Sequence, residues 1–465
     1  VSLYLAVILG YSALQVLLGL WVARRVQTSG DFFVAGRRLG PGLLFSSLVA
    51  ANIGAGSTVG ASGLAYRDGL SAWWWVGSAG LGSVVLAFTV GPRIRRIAAA
   101  HDLRTVGDYL EHRYDRRVRG VVAALLWVGS LAILAGQLIA VAWVLNVVAG
   151  LPKPAGCLIG GIVMTTYFAA GGLLASARVN ALQLVVEVAG FFVLAAVALR
   201  TAGGWDAVRA AIPPTSGAGG FWGGGAYLAL LAPAFMISPG LLQKVYGARD
   251  DRTVRMGVGL NALALLAFAA VPVLLGLASR ALHPGLANQE MALPTLLRAD
   301  LPPILGAIGL AALFSAEVNT ADAILFMLST SLSQDLYRRF LHPAASDAQL
   351  LRVARGSAVA GGILGVGLAI LAPSVIGVLS VFYSLLTVSL FVPLMAGLYL
   401  PRVGTREALA SIAAGVGVLL LVHVPTGGTG YGPISPVLAG LLAAAAACAL
   451  TAGTPGGAKP SGAER

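Results

Sequence analysis

Side chains that carry oxygen are sparse in this sequence, and one apolar run concentrates them: between Ala311 and Asp322 stand Ser315, Glu317, Asn319 and Thr320. Ala316, Asn319, Thr320 and Ala323 follow the i, i+3, i+4, i+7 spacing of one helix face, a small-residue surface with one amide and one hydroxyl oxygen. Hard cations take oxygen ligands, so this face can complete an oxygen cage if another element supplies carbonyls. Hydrogen bonding between helices, common for Asn and Thr in membranes, accounts for it equally well.

Carbonyls come free where a spanning helix breaks. Two apolar runs carry such interruptions, Asn52-Ile53-Gly54-Ala55-Gly56-Ser57 and Ser238-Pro239-Gly240. In hydrocarbon every backbone amide needs a partner, so a break is tolerated only against protein or a polar cavity. Matched breaks in two halves of a chain mark the binding site of a secondary transporter. Close helix packing explains many of the 61 glycines but is a poorer account of two matched breaks.

Other chemistries find no residues to do them. The five histidines form no HExxH-like cluster, no Gly-rich phosphate loop is present, and Cys157 and Cys448 lack metal or redox spacing. ATP-driven pumping is therefore not expected. An integral-membrane hydrolase would need paired intramembrane carboxylates or histidines with nucleophile geometry, and none is evident.

The elements that hold these residues follow from composition. The chain of 465 residues is 58% hydrophobic and 11% charged, with a mean hydropathy of +0.86. Apolar runs able to provide the roughly 20 residues of a bilayer crossing recur along its length, giving an all-α membrane protein of about thirteen transmembrane helices and one domain, 1–465. The first span is read at Leu3–Ala23, as a helix rather than a signal peptide because no basic segment precedes it. The second lies at Gly40–Tyr66, the seventh at Tyr227–Leu242, the ninth at Leu305–Ser333, and the last two at Leu409–Val422 and Val437–Ala452.

With the N-terminus outside and the C-terminus cytoplasmic, only Arg67, Lys153, Arg200, Arg209, Arg280 and Arg298 of the 31 Lys and Arg fall on outer connections. The formal charge of +13 thus reads as a topology signal of a multi-pass inner-membrane protein in a lipid bilayer. It does not indicate a nucleic-acid partner, and the basic stretch Arg93–Arg119 is an anchor near anionic headgroups. No obligate protein partner is evident, and the tail after Ala452 is too short for an attached signalling domain, which disfavours a transporter-like sensor.

Several of these segments resemble the sodium/solute symporter family. Asp31-Phe32-Phe33-Val34-Ala35-Gly36-Arg37 is similar to the family's D-[YF]-[FL]-x-A-G-R before the second span, and Gly63 to Leu70 is similar to the segment that closes that span. Gln243-Lys244 through Ala248-Arg249-Asp250 resembles Q-[RK]…A-[KR]-[DN], and Asn319-Thr320-Ala321-Asp322 through Asp335-Leu336-Tyr337 resembles S-T-A-[DN]…D-[IL]-Y. Gly171-Gly172…Gln183 lies between them in the family's order. The resemblance implies the leucine-transporter-type core of two five-helix inverted repeats, about 40–200 and 222–400, with one helix before it (3–23) and two after it (409–422 and 437–452).

It also implies roles for residues. Sodium, or a proton in its place, would be held by the carbonyls of Ala50, Ile53 and Ala316 and the side chains of Asn319 and Thr320; the family usually has Ser where this chain has Asn319. A second cation, or a coupled proton, would lie between Asn180, where members with a second sodium site carry Asp, and Asp322. Sugar-carrying members place Gln and Glu where this chain has Ser57 and Val76, which argues against a sugar. The implied lining for a small organic solute is Asn52, Gly54, Ser57, Trp75, Gln137, Phe235, Met236, Pro239 and Tyr383. No Lys or Arg is expected inside a span near it, so a carboxylate would be held by backbone N–H groups at a half-helix N-terminus, which suits an amino acid or a short organic acid.

Overall fold

The computed structural model describes residues 3–23, 37–170, 173–213 and 220–452 and, within them, every side chain except those at 15, 16, 18–23, 167, 169, 170, 173–186 and 220. The motif residues Asp31–Gly36 and Gly171-Gly172, and the side chain of Asn180, lie outside that description. The regular structure of the described residues is helical, with no strand, only the isolated bridges Leu39–Ala248 and Tyr431–Ile434. Eight of their helices are long and apolar enough to cross a membrane; Leu3–Leu14, Pro41–Asn52 and Pro436–Ala452 are shorter apolar helices. The expected segments named above fall on helical residues apart from Gly40 and the two interruptions, while the number that cross the bilayer stays a reading of the sequence.

Both expected interruptions are present. Helix Pro41–Asn52 starts with proline at its first position and stops at Ile53, whose φ −95 and ψ 95 are extended. The chain then re-enters a wide helical turn at Gly56–Gly60 and continues as Ala61–Asp68. Helix Ala226–Ile237 stops at Ser238, with φ −52 and ψ 124, and Pro239 opens the helix Pro239–Tyr246. Proline cannot donate to the preceding turn, so the second break lies where its own residues remove a hydrogen bond.

The ends of the two broken helices are stitched together by residues of the quoted motifs. The Leu39 N–H donates to Gly247 O (3.0 Å), and the Arg249 N–H donates to Leu39 O (3.2 Å). Arg37 donates to Tyr246 O (3.2 Å) and Leu103 O (2.9 Å). Helix Pro303–Thr330 packs against Pro41–Asn52 and against Arg116–Ala149, and helix Leu173–Thr201 packs on both Pro41–Asn52 and Pro303–Thr330. The polar run of the ninth span therefore faces the first break.

Candidate solute and cation site

The first break exposes backbone groups that side chains recapture locally. Ser57 Oγ accepts from the Gly54 N–H (3.0 Å) and donates to Asn52 O (2.9 Å). The Ala55 N–H donates to Gln137 Oε1 (2.9 Å), so a residue of the long helix Arg116–Ala149 clamps the unwound segment. Thr58 Oγ1 lies 2.8 Å from Gly54 O and 2.8 Å from Glu317 Oε1. Asn52 reaches the other way, donating to Asn261 Oδ1 (3.0 Å).

Thr320 Oγ1 stands 3.2 Å from Ala50 O and 3.1 Å from Ile53 O. One hydroxyl proton can serve only one of these carbonyls, so three oxygens converge with a single proton among them. That is a cluster rich in lone pairs and poor in donors, the chemistry a hard monovalent cation needs. The carbonyls also sit at the C-terminal end of a half-helix, where the backbone dipole favours positive charge. Asn319 reaches another element: its Nδ2 donates to Glu187 Oε1 (2.6 Å), a contact with the helix Leu173–Thr201.

Next to this cluster is a cavity of about 40 Å³ whose lining includes Asn52, Gly54, Ser57, Trp75, Gln137, Phe235, Thr320 and Tyr383. Trp75 meets Tyr227 edge-on at 5.2 Å and Tyr383 at 6.2 Å, and Phe235 meets Tyr383 at 5.8 Å, so one wall is aromatic. Of the residues expected to line it, Met236 and Pro239 are not in this lining. The break at Ser238 redirects the chain, and Pro239 lines a separate cavity of about 30 Å³ together with Gln243, Thr330 and Asp335. Val76, Ile133, Leu231, Leu265 and Leu379 also line the first cavity; apart from Val76, these are isolated apolar residues in apolar spans and gave no sequence signal.

Asp322 and Lys244 are both buried, Lys244 on helix Pro239–Tyr246. Lys244 lies two residues past the seventh span read at Tyr227–Leu242 and is not among the residues that line the cavity beside the oxygen cluster. Its signal was present in the Gln243-Lys244 motif, which sits within an apolar run. Whether Asn180 faces Asp322 concerns a side chain outside the described residues.

The basic stretch Arg93–Arg119 does more than face headgroups. Arg119 is only 5% exposed and pairs with Asp108 (2.8 Å), Glu111 (2.9 Å) and Asp335 (2.8 Å). Thr105 Oγ1 also donates to Asp335 Oδ1 (2.6 Å), and Arg339 pairs with Glu111. Burial pushes the Glu111 carboxyl up, yet hydrogen bonds from Arg339 and Arg119 outweigh it and hold the group below its ordinary range. The cluster fastens helix Val106–Arg113 to the end of the ninth span below the Pro239 cavity. Removing one partner of a buried ion pair costs about 3–5 kcal/mol because the other charges stay behind. An Arg119→Ala variant is accordingly expected to unfold at a clearly lower temperature and to show increased labelling of a cysteine placed at Ser130, which lines the Pro239 cavity; unchanged labelling would mean that the cluster does not close that cavity.

Comparison with known proteins agrees with this arrangement. The model of the family described as the sodium:solute symporter family matches residues 32–415. The sodium/pantothenate symporter of Escherichia coli (strain K12) is 31% identical, over 94% of this chain and 92% of its own. The human sodium/iodide cotransporter is 28% identical, over 93% of this chain and 71% of its own. Among solved structures, the substrate-bound outward-open state of a Na+-coupled sialic acid symporter superposes with a TM-score of 0.83 at 18% identity, covering 99% of each chain, which shows a shared fold.

Proposed function

Because this chain belongs to the sodium:solute symporter family, a family of multi-pass membrane transporters whose cargo is a small solute, we propose that it is a sodium-driven symporter of an amino acid or a short organic acid. The observation that carries this reading is the sharing of residues between the two sites. Thr320 contributes its hydroxyl to the oxygen cluster and also lines the cavity, and Gly54 lies in the break between them. A cation held by the carbonyls of Ala50, Ile53 and Ala316 with Thr320 and Asn319 stiffens the segment that forms the cavity wall. Occupancy of one site then changes the affinity of the other, and the coupling is reciprocal.

A carboxylate is our reading of the cargo for this cavity. Its lining offers aromatic faces and a few amides and hydroxyls, and Gly54, Gly56 and Ser57 bring the N-terminal end of the second half-helix to it. The relatives named above are named for pantothenate and iodide, both anions. In the proposed topology the first helix starts outside in a plasma membrane, the repeats span about 40–200 and 222–400, and Asp322 and Asn180 serve a second cation or a coupled proton. Substrate class is tested by competition in proteoliposomes. Sodium-driven uptake of a labelled short carboxylate should be displaced by amino acids or short organic acids and not by hexoses; displacement by hexoses alone would overturn the assignment.

A further inference from the structure

Glu187 has no counterpart in the cage as described and no role in the mechanism so far. It lies near the middle of helix Leu173–Thr201, wholly buried, and among the described residues it takes part in no ion pair. A carboxyl group in the membrane interior is costly, so its retention calls for partners or a function. Its partners are both on one face of helix Pro303–Thr330: Asn319 Nδ2 at 2.6 Å and Ser315 Oγ at 3.3 Å, each donating to Oε1. Oε2 has no hydrogen-bond partner there. The next residue after Asn319 is Thr320, whose hydroxyl meets the carbonyls of Ala50 and Ile53.

An amide is a planar fork with a donor on one tine and an acceptor on the other, and in the wrong orientation it would offer a cation its N–H₂ group. A serine hydroxyl at the same position needs no such control, because it rotates freely. The acceptor that fixes Asn319 is Glu187: by taking the Nδ2 hydrogen it settles which tine is nitrogen and which is oxygen. Residues that orient a ligand are commonly worth ten- to a hundredfold in affinity.

We propose that Glu187 is the positioning residue of the cation site, and that the Glu187–Asn319 pair does here what a single hydroxyl would do. The inference rests on the cage reading above. Glu187→Leu removes the acceptor, and about a tenfold rise in the sodium concentration for half-maximal uptake is expected, with a smaller change in maximal rate. Glu187→Gln keeps an acceptor oxygen and should recover most of that loss. The decisive variant is Glu187→Leu with Asn319→Ser, which removes the need for the pair and should return sodium affinity to within about threefold of the parent, far from the sum of the single effects.

The readouts are sodium-dependent uptake in proteoliposomes and the sodium-induced rise in melting temperature of the purified protein, so a variant that folds but transports slowly is still measured. Additive single effects, or Glu187→Leu with parental sodium affinity, would overturn the inference and leave the cage standing. A parent protein with no saturable sodium response would overturn both.

Discussion

A Gly54→Ala variant is expected to insert normally and to lose between about tenfold and a hundredfold of its transport rate. A methyl group at this position would stand 2.6 Å from Thr320 Cβ and 2.7 Å from Gln137 Oε1. Neither neighbour can retreat without loss: Gln137 holds the Ala55 N–H, and Thr320 holds the carbonyls of Ala50 and Ile53. Overpacking a filled site costs about 1–3 kcal/mol, and here the strain falls on the cation cluster and the cavity wall together. Uptake rates normalised to the amount of protein in the membrane check this. Parental rates would mean that the segment around the first break is not where cation and solute meet.

Removing the Thr320 hydroxyl isolates the cation cluster from that steric effect. Thr320→Ala takes away one of three converging oxygens and leaves the carbonyls of Ala50 and Ile53 in place. One lost ligand worth about 1–2 kcal/mol raises the half-saturating sodium concentration by roughly five- to thirtyfold. Saturating sodium should restore much of the rate, since the cavity keeps its aromatic wall. Sodium dependence identical to the parent would take Thr320 out of the site.

These two positions show what kind of information a membrane sequence carries. Ile53 and Ser238, the extended residues at the two breaks, fall within the interruptions the sequence marked, because hydrocarbon lets few residue types interrupt a helix without a partner. The face with Asn319 and Thr320 was visible through helix periodicity. What stayed hidden depends on which segments meet. Glu187 and Asn319 are 132 residues apart, and nothing in the spacing of either helix says that they touch. Arg119 read as one more basic residue at the membrane surface until Asp108, Glu111 and Asp335 closed around it. Lys244 showed only as part of a motif, and its buried position follows from the way the second broken helix restarts at Pro239. That same restart carries Pro239 away from the solute cavity to which its motif alone had assigned it.

Energetic coupling between the oxygen cluster and the cavity makes the driving ion directly measurable. Purified protein reconstituted in proteoliposomes should accumulate a labelled amino acid or short organic acid when sodium is high outside. Accumulation should fall to the equilibrium level when sodium is equal on both sides, and an inward proton gradient without sodium should not replace it. Accumulation driven by the proton gradient alone, and indifferent to sodium, would contradict the account.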